Sequence, residues 1–242
     1  MSNQVTPPYG VSSAYEDFIR EFQTAVESAN QELQIPDRPL RSCFDDSGPN
    51  SGAAFKACLY LKGWPCRRLA RGKRLDIAIK ALETFARPSW QLTKSTVYLN
   101  YFVVSGSSAT LVQSLHFDFL DGGQLDHPFF HVQLSDEVIP SDDLRSAGFE
   151  LNLVTPQETS QCWVTTRIPT PEMTLASVLY CLVADHLGAG IFQQFAENVL
   201  TIQSRLPTPG FEALRNSLRA PLAHFKSSHW FAHMGNRAGQ NN

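Results

Sequence analysis

Residues 114–134 read SLHFDFLDGGQLDHPFFHVQL, and their alternation decides the fold class. Leu115, Phe117 and Phe119 alternate with Ser114, His116 and Asp118. Beyond DGGQLD, Phe130, Val132 and Leu134 alternate with Phe129, His131 and Gln133. A period of two puts each set on its own strand face, so the stretch reads as a β-hairpin with one apolar and one polar face. With the turn inside Asp121–Asp126 and symmetric arms, Phe119 lies near Pro128 and His116 lies opposite His131. Their β-carbons would then be about 5 Å apart.

Similar alternation surrounds the hairpin. Residues 95–104 (STVYLNYFVV), 108–120, 128–134, 148–154 (GFELNLV) and 161–168 (QCWVTTRI) form five strand candidates with mostly short connections. Short connections favour an antiparallel meander, because parallel neighbours require crossover helices.

Outside this block the pattern reads as helical. Ser12 or Ser13 caps a helix over 13–33, with Glu16 placed to complete a reciprocal cap on Ser13. Its stripe is Phe18, Phe22, Ala25, Val26, Ala29 and Leu33. A short helix over 53–61 ends at Gly63-Trp64-Pro65. Another over 74–86 turns Leu75, Ile79, Leu82 and Phe85 inward and stops at Pro88. Thr170-Pro171 opens a helix over 171–187, a second covers 190–205, and a third runs from 210 toward His233.

The expected architecture is therefore α+β, a central antiparallel sheet of about five strands packed against N-terminal and C-terminal helices. The expected organisation is a flexible N-terminus over 1–11 and one domain over 12–234, followed by a flexible tail over 235–242. Within the domain, 12–87 is helical, 95–168 is stranded and 171–233 is helical.

The 242 residues are 43% hydrophobic, enough for a core that needs no metal or disulfide. Cysteines 43, 58, 66, 162 and 181 are odd in number and lack a CxxC pair, so reduced cysteines are expected. The N-terminal segment lacks the pattern of a signal peptide, and no apolar run is long enough for a membrane span. A soluble cytoplasmic protein without membrane contact is the expectation.

Candidate chemistry concentrates in two places. On the polar hairpin face, His116, Asp118 and His131 are candidate ligands for a divalent metal, with His127 a candidate catalytic acid or base. A metal is expected as cofactor only in this setting. An exposed polar sheet face requires no function, however. In residues 62–80, Arg67, Arg68, Arg71 and Arg74 recur at helical spacing and would receive phosphate or nucleic acid. The net charge of −3 weighs against a dedicated nucleic-acid binder. Asp185-His186 and the His229/His233 pair fit helix surfaces, and neither Cys43 nor Cys162 has a partnered histidine in the pattern. GxSxG, HExxH, Walker and dinucleotide signatures are absent.

Two classes of function follow. One is an intracellular protein-interaction or complex subunit, with a protein partner or a second copy of the chain. The other is a small metal-dependent hydrolase, a phosphodiesterase or nuclease, using the hairpin site with Arg67 or Arg71 holding phosphate. A nucleic-acid-binding module using segment 62–80 is a third.

Overall fold

The computed structural model describes residues 8–35, 43–46, 52–64, 73–120, 130–135, 137–154, 167–169 and 174–207. Helix α1 (Tyr9–Ser28) leads into two three-residue strands, β1 (Glu32–Gln34) and β2 (Phe44–Asp46). The long strands β3 (Ala53–Trp64), β4 (Arg74–Ala86), β5 (Gln91–Ser105) and β6 (Ser108–Leu120) follow, then β7 (Phe130–Ser135). Helix α2 (Ser141–Ser146), strands β8 (Asn152–Val154) and β9 (Arg167–Pro169), and helices α3 (Leu175–His186) and α4 (Ala189–Gln203) complete the order.

The fold is α+β, with nine strands pairing into one sheet among the described residues. Its main path is β1-β3-β4-β5-β6-β7-β9, with β2 also on β3 and β8 on β6. All pairs are antiparallel except β6 with β8, where Ser108, Ala109 and Thr110 face Asn152, Leu153 and Val154 in parallel. The sheet is thus mixed, and larger than the antiparallel sheet of five expected.

The helices expected over 53–61 and 74–86 are strands, and this corrects the helical N-terminal segment 12–87. Leu75, Ile79, Leu82 and Phe85 fit a helical stripe, but Leu75, Ile77, Ile79, Ala81, Glu83 and Phe85 fit strand alternation as well. The charged Glu83 at an inward position hides that alternation. The other face carries Arg74, Asp76, Lys80 and Thr84, but the apolar Ala78 and Leu82 among them blur its contrast with the inward face. Strand β3 is buried on both faces along Ala57–Leu61, where periodicity cannot separate strand from helix. Pro88 lies in the four-residue β4–β5 turn.

Helix α1 begins at Tyr9 without a side-chain cap, and the Ser12 and Ser13 hydroxyls bond back to the Tyr9 and Gly10 carbonyls at 3.3 Å each. It ends at Ser28, and Leu33 belongs to β1. Helix α3 is capped by Thr174, whose Oγ1 accepts from the Ser177 N–H at 3.3 Å. Thr170, Pro171, and the expected third helix from 210 lie outside the described residues.

The two sheet faces are covered differently. On one, Phe18, Phe22 and Val26 of α1, Val178 and Leu182 of α3, and Phe195 of α4 pack on a floor including Leu59, Ile79, Leu99 and Phe117. On the other, Ile139, Leu144, Ala147 and Phe149 cover Tyr60, Ala78, Phe102 and Leu111. Asn100 fastens this second cover to the sheet. Its amide donates to Ser114 Oγ (2.9 Å) and the Glu137 carbonyl (3.1 Å), and its oxygen accepts from the Ile139 N–H (2.8 Å). The two-residue β5–β6 turn places Gly106 at φ +60°, where a β-carbon would be strained.

Candidate functional site

The polar face of β5, β6 and β7 continues the second sheet face beyond that cover. Asp118 pairs with His131, and His116 pairs with Gln133. The expected His116–His131 pairing is therefore corrected by two residues. A two-residue slip returns every side chain to the same face, so Leu115, Phe117 and Val132 still point to the core. Apolar patterning cannot choose between the two registers. His116, Asp118 and His131 nevertheless converge.

Their meeting point is the Asp118 carboxylate. His116 Nε2 lies 3.1 Å from Asp118 Oδ1, and His131 Nε2 lies 3.7 Å from Oδ2. Thr96 of β5, directly opposite Asp118, donates its hydroxyl to Oδ1 at 2.8 Å. Burial alone would raise the Asp118 pKa. Hydrogen bonding and charge from His116, the Thr96 bond and the His131 charge outweigh it and hold the acid below its ordinary value. The His131 side chain is 1% exposed, against 18% and 19% for His116 and Asp118.

A second row crosses the same face. Lys80, Tyr98, His116 and Gln133 occupy successive register positions on β4 to β7. The Tyr98 and His116 rings stack at 4.3 Å with an interplanar angle of 14°. Lys80 Nζ lies 5.8 Å from the Tyr98 centroid and 2.8 Å from Asp143 Oδ2, while Lys56 reaches Asp143 Oδ1 at 2.9 Å. Burial raises the Tyr98 pKa, reinforced by the charges of Glu137 and Asp118. Thr96 and Tyr98 had a legible signal in STVYLNYFVV, where they alternate with the core residues Val97 and Leu99. Asp143 had none, because its lysines lie on strands read as helices.

Comparisons with protein-family models, curated proteins and solved structures give no match for this chain. Among the described residues, no group of three or more histidines, cysteines, aspartates or glutamates is arranged to hold a metal ion. His127 lies outside the described residues.

The basic segment is divided. Arg67, Arg68 and Arg71 lie outside the described residues, between antiparallel β3 and β4. Arg74 opens β4, so its expected helical stripe with them is corrected. Its guanidinium holds the fully buried Asp76, with Nε 2.9 Å from Oδ1 and Nη2 3.1 Å from Oδ2. Asp76 also accepts from the Gly63 N–H at 2.9 Å and from the Tyr60 hydroxyl.

His186 sits near the C-terminal end of α3, its ring 5.8 Å from that of Trp64. Cys43 and Cys58 are buried, and burial pushes the Cys58 thiol up to about 12. Cys162, His229 and His233 lie outside the described residues. No helix among the described residues is long and apolar enough to cross a membrane.

Proposed function

We propose that the chain is an intracellular complex subunit that acts by binding a protein partner or a second copy of itself. The observation carrying this reading is the engagement of the Asp118 carboxylate by Thr96, His116 and His131. The Thr96 hydrogen bond ties β5 to β6 at Asp118, the two histidines lie within ion-pair range of the same carboxylate, and its polar character needs no reaction to explain it. Asp143 likewise joins α2 to the sheet through Lys56 and Lys80.

The experiment is size-exclusion chromatography and native mass spectrometry of the tagged full chain from its own cells, with a charge-reversed Arg67/Arg68/Arg71 variant alongside. A stoichiometric partner or defined self-association, reduced in that variant, supports the proposal. A monomer in both preparations overturns it.

A second reading starts from the convergence of His116, Asp118 and His131, although as placed they form no group arranged to hold a metal. A small metal-dependent hydrolase acting on a phosphodiester would use these three as ligands and His127 as acid or base. The metal would activate water and stabilise developing negative charge. Metal content that disappears in H116A/H131A supports it, and a metal-free parent protein that hydrolyses no phosphodiester removes it.

Nucleic-acid binding through 62–80 is the less favoured third reading. Arg74 is committed to Asp76, and Lys62 lies 3.0 Å from Glu32 Oε1. Salt-dependent binding unchanged by triple substitution of Arg67, Arg68 and Arg71 would count against it.

A further inference from the structure

Glu83 is a fully buried acid on the helix-facing side of the sheet. It lies where four elements meet. Strand β4 carries it, Ser95 of β5 donates Oγ–H to Oε1 at 3.1 Å, and the Leu175 N–H of α3 donates to Oε1 at 2.9 Å. The Tyr15 hydroxyl of α1 bonds to Oε2. Leu175 is the first residue of α3, so its N–H lacks an intrahelical acceptor, which Glu83 supplies. Around this knot the Tyr15 ring packs on Phe55, Phe44 and Phe85, with centroids 4.6, 5.8 and 6.3 Å away. Among the described residues, the titratable group acting on Glu83 is Tyr15, and no cation does so.

We propose that Glu83 is a proton-operated latch: its protonated form docks α1 and α3 most tightly on the sheet, and loss of the proton loosens them. Both forms find hydrogen-bond partners. The neutral carboxyl keeps Oε1 as acceptor for Ser95 and Leu175 and turns Oε2 into a donor toward the Tyr15 oxygen. The anion keeps its three donors, but it has left water for an apolar pocket without countercharge.

Burial drives Glu83 above its ordinary value, outweighing the opposing bonds from Tyr15, Leu175 and Ser95. Burial and the charge of Glu83 push Tyr15 well up, so the phenol remains neutral. For an acid whose folded pKa exceeds its unfolded one, the contribution to stability is complete below the unfolded value and is lost as pH rises through the folded one.

The test uses the full chain. The carboxyl resonance of 13C-labelled Glu83 is titrated, and hydrogen exchange of α1 and α3 is followed over the same pH range in the parent and in Glu83→Gln. Glutamine keeps an oxygen for Leu175 and offers an N–H to Tyr15, mimicking the protonated latch. Expected are a Glu83 midpoint above the ordinary glutamate range and, once the base-catalysed rise in intrinsic amide exchange is divided out, a loss of α1 and α3 protection with the same midpoint in the parent. In Glu83→Gln that loss of protection is absent. An ordinary Glu83 midpoint, or parallel exchange profiles in both proteins, overturns the proposal. Should Glu83→Gln fail to fold, the parent decides: coincident carboxyl and exchange midpoints support the latch, and separate midpoints overturn it.

Discussion

Asp118 faces His131 directly across β6 and β7, with Oδ2 3.7 Å from the histidine Nε2. The same carboxylate holds Thr96 and His116 through its other oxygen. The Thr96 hydrogen bond thereby joins β5 to β6 at this acid, and His131 of β7 faces it within ion-pair range.

Asp118→Asn should therefore destabilise the fold by about 1–3 kcal/mol at neutral pH, the cost of leaving partly buried polar groups without their charged partner. The folded-state pKa of Asp118 is depressed, so its contribution is present above the ordinary aspartate value and is lost as pH falls through the lower folded value. Urea midpoints of parent and variant should differ at pH 7 and converge in acid below about pH 4. A constant gap down to the lowest pH at which both fold would contradict this.

The strand assignment of β4 has its own test. Ile77 is fully buried but falls outside the helical stripe of Leu75, Ile79, Leu82 and Phe85, while Leu82 is only half-buried. Ile77→Ala should cost about 2–5 kcal/mol by chemical denaturation, and Leu82→Ala clearly less. The reverse order would restore the helical reading.

Asn100→Ala should strip the Ile139 N–H and the Glu137 carbonyl of a buried partner, at about 1–3 kcal/mol. Hydrogen exchange should accelerate at Ile139 and through the cover that follows, leaving α1 unchanged. A uniform acceleration would show that the cover does not open separately.

Lys80→Met should cost less than about 1 kcal/mol, because Lys56 also holds Asp143 and the aspartate is partly exposed. The difference from the parent should shrink in high salt, read as the change in thermal midpoint. A difference independent of salt would point to the packing of Lys80 beside Tyr98.

The sheet between residues 91 and 135 was legible because polar and apolar residues alternate there over long runs. Strand β6 falls at the expected 108–120. Strand β3 was not, since burial on both faces removes the contrast that alternation needs. Strand β4 was not, because its alternation breaks where Glu83 stands at an inward position beside the apolar Leu82 of the other face. The site residues His116, Asp118 and His131 were identified by facing alone. Their contacts depend on register, which the turn sets and the apolar pattern leaves open by two residues. Thr96 and Tyr98 could have been added by applying the same facing rule to β5. The Glu83 knot was beyond reach, because Tyr15, Ser95 and Leu175 meet only through tertiary packing.

The proposed role of the chain is to bind a protein partner or a second copy of itself. Native mass spectrometry of the tagged full chain, purified from its own cells beside H116A/H131A, tests it most directly. A metal-free chain in a complex of fixed stoichiometry, retained by the double variant, is expected. A monomer carrying one divalent metal per chain, lost in the double variant, would contradict it.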